Sequence, residues 1–326
     1  MTTELIDPRR RGVLLAALGA TFALAAPQAM ALGAEDAATT PPALELLVLG
    51  SGGPGAVGRA GASFVVLVDG KARLLVDAGA GTFVRAGEEH LPLRDLDIVL
   101  LTHLHIDHAS ELPGLFKARA VSQGRAMQFR VFGPGASRDG LYPSTTRFMD
   151  LLFGKRGAFA YLRDFSAPLH YQVVDVTGAP GKGPRMLLEQ DGLSVSAIAG
   201  HHRDAPAVIY RVDYRGRSIT FSGDIDEHAW PSLAAIAKRS DLLVFNSVVL
   251  DPPGSPPQLY ELHTPPRDIG RLAHDAGVGQ LLLAHLNPAV DAAHDAVLAS
   301  IRNHYVGPVV FSEDRMRVRL DPQGGP

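Results

Sequence analysis

Apolar residues in this chain arrive in short blocks, and most blocks have the length and β-branched content of strands. Residues 44–49, 63–68, 72–76, 97–101 and 127–132 form a first series. Residues 193–199, 207–213, 218–221, 242–245, 280–284, 309–311 and 316–320 form a second. Uninterrupted runs of this kind predict strands buried on both faces. Helical spacing predicts helices at about 109–120, 231–238, 266–276 and 291–302, the first with Ser110 as its cap and Pro113 in its first turn. Two β-rich halves with helices between them predict an α/β sheet sandwich covered by helices, with ligands at the strand ends.

Polar residues that interrupt this pattern are few, and they sit just beyond apolar strands. Thr102-His103-Leu104-His105-Ile106-Asp107-His108 follows the strand at 97–101 and places three imidazoles and a carboxylate on one strand-to-helix loop. Neutral imidazole and carboxylate are good ligands for zinc and similar divalent ions. Gly200-His201-His202, Phe221-Ser222-Gly223-Asp224 and Ala284-His285 repeat that placement after three later strands.

Other features carry weaker signals. Gly50-Ser51-Gly52-Gly53-Pro54-Gly55 formally matches a dinucleotide-binding pattern. That pattern requires a helix to open at its third glycine, whereas Pro54, Gly58 and Gly61 lead toward another strand, so nucleotide binding is not expected from it. Residues 142–165 carry six aromatic side chains, with helical stretches broken at Gly154 and Gly157; they pack on the core or form a lid over a pocket. His90, His170, His228, His274, His294 and His304 fall in no motif and read as ordinary surface or structural residues.

The spacing His-x-His-x-Asp-His resembles the signature of the metallo-β-lactamase superfamily of hydrolases, and the later motifs extend the resemblance over about residues 43–321. It implies a four-layer αββα sandwich binding two divalent metal ions, zinc first among them. His103, His105 and one of His201 and His202 are the implied ligands of the first ion; Asp107, His108 and His285 those of the second. Asp224 is the implied bridge. His202 is preferred because the run from His202 through Pro206 and Tyr210 to Arg211 resembles the family's own. Asp77, after the strand at 72–76, is similar to an aspartate that lies behind the metals in the family. Glu261-Leu262-His263-Thr264-Pro265 resembles an element of the ribonuclease Z and arylsulfatase-like branch, in which the histidine lies near the leaving group. His263 is thus a general-acid candidate, and Asp107 the candidate to orient or deprotonate the attacking water.

The implied reaction is hydrolysis of an ester-type bond of a small substrate: a phosphodiester, an aryl sulfate or a lactone. Asp224 speaks against a β-lactam, since true β-lactamases generally lack that bridging residue; a non-catalytic metal-binding or ligand-binding protein on the same scaffold is the alternative of a different class.

Composition narrows the setting. With 326 residues, a net charge of −3 and no basic block, the chain is not expected to take nucleic acid as a partner. It has no cysteine, so thiolate metal sites and disulfides are excluded. Arg9-Arg10-Arg11, an apolar stretch from Val13 to Ala26 and Ala29-Met30-Ala31 together read as an export signal over residues 1–31, of twin-arginine type, followed by a linker over residues 32–42. A periplasmic or secreted protein without a stable membrane anchor is expected, with a homodimer as one assembly.

Overall fold

A computed structural model describes residues 41–321 apart from 56, 124–125, 166 and 179–181. The export segment and all but the last two residues of the linker lie outside the described residues.

The first half contributes strands β1 (Leu44–Gly50), β2 (Ser63–Val68), β3 (Lys71–Val76), β4 (Ile98–Leu100), β5 (Met127–Pro134) and β6 (Leu169–Val176). The second contributes β7 (Arg185–Gln190), β8 (Leu193–Ala199), β9 (Val208–Tyr214), β10 (Arg217–Phe221), β11 (Leu242–Asn246), β12 (Gln280–Ala284) and β13 (Val309–Phe311). A last strand, β14 (Arg317–Leu320), returns to the first sheet beside β1. One sheet runs β14-β1-β2-β3-β4-β5-β6 and the other β13-β12-β11-β10-β9-β8-β7.

Alternation of side chains across a strand explains why both sheets are covered twice. Leu44, Leu46 and Val48 of β1 join Val66, Leu74, Val195, Tyr210, Ile219 and Leu282 in a core between the sheets. Leu47 and Leu49 point the other way, toward helices α1 (Thr82–Glu88), α2 (Ile106–Ala109), α3 (Leu112–Gln123) and α4 (Thr145–Phe153), of which α1, α3 and α4 supply Ala86, Phe116 and Phe153 to a second core. A third core lies between the second sheet and α5 (Trp230–Ile236), α6 (Pro266–Asp275), α7 (Pro288–Asp291) and α8 (His294–Arg302). The order is helix, sheet, sheet, helix, which is the expected αββα sandwich.

The structure adds two strands to those expected and bears out two further readings. Strands β6 and β7 end their sheets; β6 largely alternates polar with apolar residues and β7 has only Met186, Leu187 and Leu188 between polar ends, so neither carries the continuous apolar signal of the inner strands. The glycine-rich segment after β1 opens no helix: Gly52 bridges to Gly61 and Leu286, and the chain enters β2. In the aromatic segment, Phe153 and Leu162 are fully buried, with Phe148, Phe159 and Phe165 packed against them, so most of it is core.

β3, β4 and β5 pair in parallel, as do β10, β11, β12 and β13. Their carboxyl ends therefore open on one edge of the sandwich, where ligands gather in sheets of this kind.

Candidate metal centre

The first half builds its share of the centre on Asp77, which follows β3. This residue is buried, with a left-handed φ of 57° that an aspartate tolerates. Its carboxylate accepts from Thr102 N and Thr102 Oγ1, both at 2.7 Å, and from His108 Nδ1 at 2.8 Å. One carboxylate thus fixes both ends of the loop after β4. Close backbone approach holds the rest: a Cβ on Gly79 would lie 2.1 Å from the Asp107 carbonyl oxygen, so only glycine fits there.

The second half supplies His202 after β8, Asp224 after β10, His285 after β12 and His263 ahead of α6. His285 also has a left-handed φ, 56°, and its ring lies against Gly53, where an added Cβ would come within 3.2 Å of Nδ1. The halves are stitched beside the centre by Val208 N donating to Thr102 O at 2.8 Å and Tyr210 Oη donating to Leu101 O at 3.0 Å.

These side chains converge on one atom. Asp224 Oδ2 lies 4.0 Å from His103 Nε2, 3.8 Å from His108 Nε2, 3.7 Å from His202 Nε2, 3.8 Å from His263 Nδ1 and 3.7 Å from His285 Nε2. Asp107 Oδ2 is 3.1 Å from His285 Nε2 and 3.6 Å from His108 Nε2, and His105 Nδ1 is 3.0 Å from His103 Nε2. All seven residues with expected ligand roles therefore meet at the same edge, with His263 beside them. His202 turns inward and is buried, while His201 turns away to bond Asp226 at 2.6 Å.

Outer acceptors assign the ring protons. His202 Nδ1 donates to the Leu262 carbonyl at 2.8 Å, and His108 Nδ1 to Asp77. Thr102 Oγ1, having given its proton to Asp77, accepts from His103 Nδ1 at 3.1 Å. In the neutral rings each Nε2 lone pair then faces inward, the arrangement that orients histidine toward a metal. His263 Nδ1, buried without a hydrogen-bond partner, is aimed into the same space. Described residues also form four overlapping groups of three donors, each with ligand atoms within 4.8 Å of one another. This donor set fits divalent metal ions.

The charges agree with that reading. Burial holds His103 well below the usual histidine range and lowers His105 as well. Burial opposes ionisation of Asp224, but His285, His108, His263 and His202 outweigh it and keep the carboxyl well below its ordinary value. Asp107 is likewise lowered, with the His285 hydrogen bond offsetting burial. His108 goes the other way: burial disfavours its charge, yet Asp77 and Asp224 raise it to about 9. Metal uptake at His108 Nε2 therefore competes with a proton.

Sequence reasoning missed three supports. Tyr142 Oη lies 3.0 Å from His105 Nε2, so the head of the aromatic segment reaches the centre. Asn246, at the end of β11, donates from Nδ2 to Asp224 Oδ1 at 2.6 Å. Thr102 was visible only as a neighbour of the histidines. Tyr142 and Asn246 act through partners distant in the chain, and no local pattern marks them.

Imidazoles and carboxylates gathered at one edge of an αββα sandwich define the class, a metal-dependent hydrolase. Residues 72–286, more than half of the chain, match the family model described as the beta-lactamase superfamily domain, and the chain belongs to that superfamily. It is 29% identical over 288 residues to a protein named ribonuclease Z from Mycobacterium avium, covering 85% of this chain and 99% of the relative. Human tRNase Z, short form, has a similar fold, with a TM-score of 0.63 at 21% identity over 85% of this chain and 99% of that one. The metallo-beta-lactamase fold protein YhfI from Bacillus subtilis also scores 0.63, at 19% identity over 84% of this chain and 98% of its own. These names overturn one expectation. The absence of a nucleic-acid partner rested on a net charge of −3, but net charge averages the whole surface, whereas relatives named for RNA cleavage share nearly the full domain.

Proposed function

We propose that this protein is a binuclear zinc-dependent phosphodiesterase acting on RNA or on diesters built from its nucleotides. The observation that carries the reading is Asp224 Oδ2, ringed at 3.7–4.0 Å by imidazole nitrogens from both halves. In this reading His103, His105 and His202 would hold one ion and Asp107, His108 and His285 the other, with Asp224 available to both. Imidazole-rich, thiolate-free donors suit zinc. Two such ions, when bound, lower the pKa of a shared water and neutralise charge on the phosphoryl oxygens.

The protein groups do the rest. Asp107, partly exposed and held ionised by His285, accepts a hydrogen bond from the attacking water and sets its direction. His263, whose burial lowers it to about 4, is neutral near pH 7 and serves as a hydrogen-bond donor to the departing oxygen rather than as a stored acid. The relatives' names favour a phosphodiester over a sulfate or lactone.

The test is metal content by plasma emission together with turnover of bis(p-nitrophenyl) phosphate, p-nitrophenyl sulfate, a chromogenic lactone and a short RNA. Two metals per chain and selective diester cleavage are expected. Asp224→Ala should lose more than about 100-fold in metal affinity, beyond what outer-shell substitutions cost. Sulfate or lactone turnover without diester cleavage would sink the proposal.

A further inference from the structure

A cavity of about 460 Å³ lies beside the imidazole cluster, and the chemistry proposed above does not use it. Its walls come from the same chain segments as the cluster, displaced by one to four residues. His201 and Arg203 flank His202, Asp226 to His228 follow Asp224, and Tyr260 and Glu261 precede His263. The Leu262 carbonyl that orients His202 directly follows Glu261 of the cavity wall in the chain.

The cavity is built rather than incidental. Asp226 is buried and accepts from His201 Nδ1 at 2.6 Å, His228 N at 2.9 Å and Arg203 N at 3.0 Å. That carboxylate fixes the His201 ring edge-on to His228, with centroids 4.8 Å apart at 77°. The Tyr260 ring is held from behind, its hydroxyl accepting from Ser255 N at 2.9 Å and donating to Leu250 O at 3.0 Å. Glu227 and Glu261 supply carboxylates at the rim, and Arg203 Nε lies 3.6 Å from Glu261.

Fixed ring faces offer stacking, and rim carboxylates accept hydrogen bonds, so the matching ligand is flat, heteroaromatic and donor-edged. An anionic group fits poorly, because the one guanidinium is already matched by carboxylates. The volume suits a ring of this size, since small-molecule sites run from about 300 to 1,000 Å³. Resting on the phosphodiesterase reading, we infer that this cavity is a nucleobase subsite for a nucleotide flanking the scissile phosphate, preferring a cytosine edge to a uracil edge. Cytosine presents an amino donor that a carboxylate accepts, whereas uracil puts a carbonyl there. His228, which matched no sequence motif, becomes a stacking wall.

The experiment uses the metal-loaded full chain and the p-nitrophenyl 5′-phosphodiesters of cytidine and uridine, with bis(p-nitrophenyl) phosphate as the base-free ester. The cytidine ester should exceed the uridine ester about tenfold in kcat/KM, within the discrimination one good base-edge contact provides. His228→Ala meets Asp226 through its backbone alone, and should lower both nucleoside esters about tenfold relative to the base-free ester, as expected for a lost stacking partner. Glu227→Gln combined with Glu261→Gln should remove the cytidine preference. Calorimetry with cytidine, which carries no phosphate, reads the cavity without turnover: the wild type should bind it and His228→Ala should not. Equal binding by both proteins, or no binding by either, overturns the subsite even if diesters are cleaved. Cytidine binding without any diester turnover leaves the subsite standing and removes the phosphodiesterase reading.

Discussion

The first sheet delivers His103, His105, Asp107 and His108 to the centre from one loop, whereas the second delivers His202, Asp224, His263 and His285 from four. In the first half a single buried carboxylate, Asp77, bonds both ends of that loop, so its geometry is set by residues within one sheet. In the second half His202, Asp224 and His285 follow three different strands and His263 precedes a helix, and the two that have supporting hydrogen bonds draw on separate partners, Asn246 for Asp224 and the Leu262 carbonyl for His202. A concentrated support is exposed to a single substitution, while a distributed one degrades in steps.

Asp77→Asn should break the comparison most sharply. Asparagine keeps the size and tolerates the left-handed φ, but it loses the charge that holds His108 and part of the hydrogen-bond set on Thr102. Metal affinity should fall about 100-fold, the upper end for outer-shell substitutions, and both ions should be affected because His103 and His108 share this support. Competition against a chelator measures it. A loss confined to one ion would show that the two ends of the loop are positioned independently.

Asn246→Ala removes one hydrogen bond to Asp224, a loss of about tenfold in metal affinity for a bond to a charged group. The second half should keep the rest of its geometry, because His202 has a support of its own and His285 follows a different strand. An effect as large as that of Asp77→Asn would erase the contrast between the halves.

That contrast also decides what the sequence made legible. Three imidazoles and a carboxylate on one loop stand out in any window, and a single Asp or His beyond an apolar strand stands out once the first loop poses the question. His228 and His201 did not read as a pair, because the carboxylate that brings their rings together is Asp226, 25 residues from His201. Tyr142 and His105 are 37 residues apart, and only folding makes them neighbours. Inner strands were readable for a related reason: burial on both faces leaves an uninterrupted apolar run. β6 and β7, with their outer faces less covered, carry a mixed pattern, and α1 follows a left-handed Gly81 without a side-chain cap to announce it.

The smallest effect should come from the first half but away from the centre, where fold and site can be separated. Glu89, just past α1, bonds Arg315 Nε at 2.8 Å and Arg317 Nη2 at 2.9 Å, tying that helix to the segment leading into β14. Arg315 first, then Arg317, holds its carboxyl below the ordinary value, with partial burial opposing them. A carboxyl lowered in the folded state stabilises at pH values above its unfolded value of about 4.3, and the contribution fades as pH falls through the folded value. Both arginines are half-exposed, so solvent screens the pair and Glu89→Gln should cost about 1 kcal/mol or less near pH 7. Denaturant melts of the two proteins should converge as the pH is lowered toward 3, with metal content of Glu89→Gln unchanged at pH 7. A gap that persists or widens in acid would mean that Glu89 acts through packing rather than through its charge, and loss of metal would mean that the outer helix and the centre are coupled.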